Sequence, residues 1–169
     1  MNPFYGKYRG KVSGNADPRE LGRVQVSCPA VLGDGNAVWA MPCVPYAGPG
    51  VGLFALPPVG ADVWVEFEGG DPDYPIWAGC FWSTGQLPVT PAVAQKVAQK
   101  KVFRTDGVTV TVDDVSGSGG LTVVVSPPLV STELRLALTA DSIELINGIR
   151  SVKLTSEKVS INGDALEVS

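Results

Sequence analysis

The sequence has 169 residues, of which 44% are hydrophobic and 18% are charged, and its formal net charge is −4. This composition is typical of a folded protein, and the acidic balance argues against a nucleic-acid partner, because phosphate binding depends mainly on positive charge. Histidine is absent, which excludes the commonest general base, the commonest metal ligand and every Ser-His or Cys-His catalytic arrangement.

Membrane and export signals are missing from the sequence as well. No apolar run approaches the ~18 residues that a membrane-spanning helix needs. The start, MNPFYGKYRGKV, lacks the apolar core of a signal peptide. We therefore expect a chain that is made in the cytoplasm without a signal peptide.

The first half of the chain predicts five short strands separated by turns. They cover Tyr5–Val12, Gly22–Cys28, Ala37–Val44, Asp62–Glu68 and Ile76–Trp82. The segment Pro45–Gly52 is predicted to be a loop, because its many glycines and prolines weaken regular structure. Five strands of this length with short connections favour a small closed Greek-key barrel.

The last two of these strands are joined by an obligatory turn. Val63, Val65 and Phe67 alternate with larger polar or amphipathic residues, a period of two that fits a strand with unlike faces. The run Gly69–Pro72 then ends the strand, because two glycines allow positive φ, an aspartate can bond the backbone and a proline fixes φ.

Residues 89–104 differ in character from the strands and are predicted to be a linker. Ala92–Lys101 has a short helical pattern, with Val93 and Val97 four residues apart. The basic residues gathered here are Lys96, Lys100, Lys101 and Arg104. A solvated linker face is favoured over a docking site for an acidic partner.

From Thr105 onward the pattern is one of successive short strands, each half apolar and half polar. Residues 136–145, LALTADSIEL, repeat as residues 152–161, VKLTSEKVSI, at an offset of 16. Such a repeat is typical of stacked β-structure. Strands of this kind leave open edges and an uncovered apolar face, so we predict symmetric association of several copies.

Paired carboxylates are the first candidate for a metal-binding or acid–base site. Glu66 and Glu68 lie two residues apart on one strand face, and Asp71 and Asp73 follow in the turn. A calcium site or an acid–base pair would use such residues, but carboxylates on an outer face and in a tight turn are usually solvated. We favour a polar contact surface for a partner.

Glycines, tryptophans and cysteines each have a structural and a functional interpretation. The tract Ser116–Gly120 lacks the Lys-Ser/Thr ending of a phosphate-binding loop, which favours a hairpin loop. Barrel core or subunit contact is favoured over base stacking for Trp39, Trp64, Trp77 and Trp82. Buried reduced thiols are favoured over a disulfide or redox role for Cys28, Cys43 and Cys80.

One stretch carries a specific family resemblance. Pro57–Pro75, PPVGADVWVEFEGGDPDYP, resembles the LPxVGDEVLVxFExGDPxxP segment of the OB-fold domain in phage baseplate spike proteins. Further matches follow the same order at Gly22–Val26, at Trp39-Ala40 with Pro45–Gly48, and at Ile76–Gly79. The family includes the baseplate assembly protein V group, the central spike of contractile phage tails and the valine-glycine repeat spike of type VI secretion. Tyr74 departs from the pattern, because the family often has a basic residue there.

The resemblance implies an all-β fold in three parts. Residues 1–88 would form a five-stranded OB-fold barrel, residues 89–104 a linker, and residues 105–169 an intertwined β-helix or β-prism built by a homotrimer. The implied function is that of a structural central spike in a contractile injection machine, which joins the hub to the membrane-piercing tip. Neither a cofactor, a metal nor a catalytic residue is implied. A lysozyme-like insertion of some family members would not fit in the linker, and the histidine-rich, iron-holding apex of others is missing or is supplied by another protein.

The resemblance also implies partners and contact residues. Contacts with the hub or baseplate are expected at Glu66, Glu68, Asp71, Asp73 and Tyr74. Contacts with a separate PAAR-type tip protein are expected at Ile161, Asn162, Leu166 and Val168. The target cell envelope would be met during injection, and the protein would reside in the baseplate of a virion or injection particle. The alternatives are an OB-fold binding module for oligonucleotide or oligosaccharide and a hydrolase that uses carboxylates alone.

Overall fold

Strands make up nearly all of the regular structure in a computed structural model of the chain, which describes residues 3–88, 98–163 and 165–168. The chain divides into two units, Met1–Gln86 and Leu87–Ser169. No helix among the described residues is long and apolar enough to cross a membrane.

Seven strands belong to the first unit. They are β1 (Tyr8–Gly14), β2 (Val24–Ser27), β3 (Val38–Pro42), β4 (Ala47–Gly48), β5 (Val51–Gly52), β6 (Asp62–Phe67) and β7 (Pro75–Phe81). A single helical turn, α1 (Pro29–Leu32), follows β2, and a 3-10 turn (Glu68–Gly70) follows β6. Five of the strands close into a barrel in the order β1-β2-β3-β7-β6, in which β3 and β7 are the parallel pair. Because β6 pairs back to β1, these five strands have no open edge.

Alternation along the strands fills the barrel. Val63, Val65 and Phe67 are buried, as the period of two predicts, while Trp64 and Glu66 between them are half-buried. The other buried residues of this core are Val12, Val24, Val26, Cys28, Ala40 and Trp77. Gly10 shows how closely the strands approach, because a Cβ there would lie 2.7 Å from a methyl of Val65. Only glycine fits at this point of β1 without displacing its neighbours.

The second unit is one antiparallel meander. Its strands are β8 (Lys100–Arg104), β9 (Val108–Asp113), β10 (Gly120–Val125), β11 (Leu134–Thr139), β12 (Ile143–Asn147), β13 (Arg150–Leu154), β14 (Val159–Ile161) and β15 (Leu166–Val168). Each strand pairs with its neighbours in sequence, so β8 and β15 are the two edges of the eight-stranded sheet.

Threonine turns recur along this meander. The hydroxyl oxygens of Thr105, Thr139 and Thr155 each accept a hydrogen bond from the backbone N–H three residues later, at 3.1, 3.2 and 3.1 Å. Local bonds of this kind satisfy the backbone in tight turns. Thr139 and Thr155 are equivalent positions of the 16-residue repeat, so the repeat includes its turns.

The predicted fold is confirmed: the chain is all-β and begins with a closed five-stranded barrel. The loop prediction for Pro45–Gly52 is wrong in part, because this segment contains the short β4–β5 hairpin. The linker prediction is wrong for Lys100–Arg104, which pairs with β9 as strand β8 and is not helical at Lys100 or Lys101. Residues 89–97 of that prediction lie outside the described residues.

The cysteines divide between the barrel core and its surface. All three are free thiols, but only Cys28 is buried, and burial raises the pKa of its thiol. Cys43 and Cys80 are exposed, so the prediction of buried thiols is wrong for these two. Of the tryptophans, Trp77 lies in the core, whereas Trp82 is exposed.

Candidate docking surfaces

The turn between β6 and β7 gathers four of the five residues predicted to contact a hub. Glu68, Asp71, Asp73 and Tyr74 are all exposed in this turn. Backbone hydrogen bonds close it, with the N–H of Glu68 donating to the carbonyl of Tyr74 at 3.0 Å and that of Tyr74 donating to the carbonyl of Asp71 at 3.1 Å. The turn therefore presents a small acidic surface on a backbone that hydrogen bonds hold closed.

Glycine makes this turn possible. Gly69 and Gly70 have φ angles of 59° and 82°, in the left-handed region that favours glycine. A Cβ at Gly70 would also lie 2.6 Å from the side chain of Pro3. The backbone angles thus favour glycine at both positions, and the contact with Pro3 is a second reason for glycine at Gly70.

The carboxylates in the turn have different roles. Asp71 accepts a hydrogen bond from the N–H of Asp73 at 3.0 Å, so its side chain stabilises the turn. Glu66 lies apart on β6, where its carboxylate is 2.5 Å from the Nζ of Lys7. Among the described residues, no His, Cys, Asp and Glu side chains form a group of three that could hold a metal. The acidic turn therefore presents exposed carboxylates that do not form a three-ligand group among these residues.

One face of the C-terminal sheet carries two apolar rows that run across the strands. The first row is Phe103, Val110, Val123, Leu136, Leu145, Val152, Ile161 and Leu166. The second row is Val112, Leu121, Leu138, Ile143, Leu154, Val159 and Val168. We refer to the two rows together as the apolar face. Every residue in it is exposed or half-buried in the single chain.

The opposite face of the same sheet is polar. Glu144 pairs with Lys153 across β12 and β13, with 2.8 Å between the carboxylate and Nζ. The Nζ of Lys153, together with the hydroxyl of Ser142, lowers the pKa of the Glu144 carboxyl. Ion pairs of this kind suit a solvated surface, so the two faces of the sheet differ sharply in character.

The residues predicted to contact a tip protein meet at the last two strands. Ile161 and Leu166 are cross-strand partners, and Val168 pairs with Val159. These three predicted contact residues belong to the apolar face. Asn162 is used differently, because its side-chain oxygen accepts a hydrogen bond from the N–H of Ser151 at 3.0 Å.

An almost buried ion pair in the barrel was not predicted from the sequence. The carboxylate of Asp17 lies 2.6 Å from the guanidinium of Arg23 and accepts bonds from the N–H groups of Arg19, Leu21 and Arg23. The Arg23 guanidinium beside Asp17 holds the pKa of that carboxyl well below its usual range. Arg23 also lies over the ring of Trp39, 5.3 Å from its centroid. The sequence signal at this place is the Asp17-Pro18 pair, which indicates a turn but not an ion pair.

Comparison with known families gives two matches. Residues 8–82 match the model of the type VI secretion system/phage-baseplate injector OB domain. Residues 100–167 match the phage baseplate V C-terminal trimerisation domain. No curated protein matches the chain. The first match covers the closed barrel, and the second covers the sheet with the apolar face and supports self-association of the chain as a homotrimer. The chain therefore belongs to the phage baseplate V family of structural baseplate proteins.

Proposed function

We propose that the chain is the central spike of a contractile injection machine and joins the hub to a membrane-piercing tip. The observation that carries this proposal is the apolar face, which spans all eight strands of the C-terminal sheet and is exposed or half-buried among the described residues of the second unit. Exposed apolar surfaces of this extent mark sites of association. In a trimer, three such faces would turn inward around a common axis and form the core of a β-prism or β-helix.

The mechanical role follows from this arrangement. A spike that is pushed against a cell envelope must resist bending and unfolding. Each sheet is continuously hydrogen-bonded from β8 to β15, so load would be shared by many backbone hydrogen bonds instead of by single side chains. A common apolar core would couple the three sheets. This role requires no catalytic step, and we expect none.

The acidic turn would be the hub contact. Among the described residues, no cation pairs with Glu68, Asp71 or Asp73. Tyr74 is 61% exposed beside them, and tyrosine is enriched at protein interfaces. We expect a hub surface with complementary basic residues and an affinity that falls as salt rises.

The hub contact is tested by co-purification with the hub protein of the same baseplate. The change is Asp73→Lys, because Asp73 contributes only its backbone N–H to the turn. The matched control is Asp34→Lys, which reverses the charge of an exposed aspartate in a different loop. Loss of hub binding with Asp73→Lys alone supports the contact. If both variants bind the hub as well as the parent chain does, the acidic turn does not contact the hub.

The end of the sheet would be the tip contact. Leu166 and Val168 are exposed on the last strand, and they continue the apolar rows to the edge of the sheet. A separate PAAR-type protein would cover this edge with apolar side chains of its own. The Val168→Asp variant should still form a trimer, since this residue lies at the sheet edge, but should no longer bind the tip protein of the same particle. Retention of full tip binding would contradict this assignment.

A further inference from the structure

Arg150 is a cation on the side of the sheet that carries the apolar face. It is the first residue of β13 and pairs with Asn147 across the strands. Val152 of the first apolar row lies two residues further on, and side chains two apart along a strand share a face. Arg150 is exposed in the single chain, and among the described residues no carboxylate forms an ion pair with it.

The turn before Arg150 is held in place by its neighbours. The N–H of Gly148 donates to the carbonyl of Glu133 at 3.2 Å, although the Glu133 carboxylate does not pair with Arg150. On the other side, the N–H of Ser151 donates to the side-chain oxygen of Asn162 at 3.0 Å. When the apolar face turns inward, the guanidinium therefore loses water at a fixed place. An unpaired charge there is costly, so the trimer must supply an anion.

Acidic residues lie at the other ends of the same strands. Asp141 is in the β11–β12 turn and Glu157 is in the β13–β14 turn, and both are exposed. Neither pairs with a cation within the described part of the sheet, and this includes Lys158, which follows Glu157. Successive turns of a meander lie on alternate sides. The turn before Arg150 thus lies on one border of the sheet, the arginine border, and both acidic turns lie on the other, the acidic border.

Packing decides which borders of the three sheets meet. Strands β11, β12 and β13 have six, five and five residues. Walls of that width, about 17–20 Å, place the axis of a triangular prism about 5–6 Å from each wall, which is half of the ~10 Å between packed sheets. If the strands ran along the axis, walls of eight strands would be about 34 Å wide and would leave a hollow core. The strands therefore cross the axis direction, and the turns lie at the corners.

We propose that each corner of the trimer is closed by an ion pair between Arg150 of one chain and Glu157 of the neighbouring chain. Cyclic symmetry makes every corner a contact between the arginine border of one chain and the acidic border of the next. It also places the three β13 strands at the same height. The turn residue Ile149, which is 95% exposed in the single chain, would be covered at the same corner.

This proposal rests on the homotrimer with inward-facing apolar faces, and it adds the residues that join the walls. An arginine and a carboxylate form charge-assisted hydrogen bonds of defined geometry. The backbone at Glu157 is positioned for this, since its N–H donates to the hydroxyl of Thr155 at 3.2 Å. An apolar core alone tolerates sliding of one wall along the next, whereas a directional pair at each corner fixes their register.

Exchange of the two charges tests the pair. Sedimentation velocity over a dilution series compares the full-length parent with Arg150→Glu, Glu157→Arg and the double variant. Each single reversal places like charges at every corner, so the concentration at which the trimer dissociates should rise by at least about tenfold. The double variant restores the attraction and should dissociate within a few fold of the parent. In one chain the two residues lie about 17 Å apart, at opposite ends of a five-residue strand, so recovery must come from contact between chains.

The matched control combines Arg150→Glu with Asp141→Arg, which makes the same exchange with the other turn of the acidic border. We expect no recovery in this control. If the parent is a trimer, three results would overturn the Arg150–Glu157 pair and leave the spike function intact: no loss in the single variants, no recovery in the double variant, or equal recovery in the control. A monomeric parent would overturn both the pair and the trimeric spike.

Discussion

Replacing Leu145 by aspartate should dissociate the trimer. Leu145 lies in the middle of the first apolar row, paired with Leu136 and Val152, and is 53% exposed in the single chain. Full burial of a leucine side chain contributes about 1.5–3 kcal/mol, so covering the exposed half contributes about 1 kcal/mol per chain and about 3 kcal/mol per trimer. The Leu145→Asp variant loses this contribution and gains three carboxylates inside the core.

The buried carboxylates dominate the effect. An uncompensated charge in a protein interior costs several kcal/mol, even after relaxation. Three copies therefore bring the total to about 10 kcal/mol or more per trimer. Since each 1.4 kcal/mol is a factor of ten in an equilibrium constant, the association constant should fall by about seven orders of magnitude.

Sedimentation velocity of the purified full-length variant measures this effect, and Ser151→Asp is the matched control. Ser151 is one strand along, on the polar face, where an added carboxylate stays in water. All four tryptophans lie within the first 82 residues, so their fluorescence shows whether the barrel is still folded when the trimer is lost. A stable Leu145→Asp trimer, or equal dissociation of both variants, would refute the inward-facing apolar face.

Two further predictions concern the barrel, and tryptophan fluorescence follows both. Gly10→Ala should destabilise the barrel by about 1–3 kcal/mol, because the added methyl would lie 2.7 Å from a methyl of Val65. The control is Gly14→Ala, whose added methyl meets only the side chain of Gln25, nearest at its terminal oxygen (3.0 Å), so this variant should melt close to the parent chain. Asp17→Asn should lower the melting temperature at pH 7, since it removes the charge that pairs with Arg23. The pKa of Asp17 is lowered in the folded state, so its contribution is complete above about pH 4, the unfolded value, and is lost as the pH falls further. The gap between parent and Asp17→Asn should therefore narrow below about pH 4, and a constant gap would contradict the ion pair as its cause.

Much of the fold could be predicted because its signals are local. The alternation at Val63, Val65 and Phe67 decides which side chains enter the barrel, and Gly69–Pro72 allows no continuation of the strand. The 16-residue repeat places equivalent residues two strands apart in the same apolar row, as Leu136 and Val152 are. These patterns reflect short-range geometry, which a single sequence records directly.

The missed features depend on contacts between distant parts of the chain. Strand β8 carries Lys101 and Phe103 on the side of the apolar face, so it lacks a clean alternation. It is held instead by pairing with β9 and by an ion pair from Lys100 to Asp113. The β4–β5 hairpin is only two residues deep on each side, too short to leave a period in the sequence.

The sequence predicts the positions of the candidate contact residues in the fold only in part. The four residues of the acidic turn come together because the turn itself was evident from the sequence. The predicted tip-contact residues do not share one environment. The side chain of Asn162 accepts a hydrogen bond from the backbone of Ser151, while its neighbour Ile161 belongs to the apolar face.

The number of chains in the native assembly tests the central claim most directly. Light scattering of the purified full-length chain at micromolar concentration reports its mass without reference to shape. We predict a single species of three times the 17.7 kDa chain mass. A species of one chain mass at that concentration, with nothing larger, would contradict the trimeric spike.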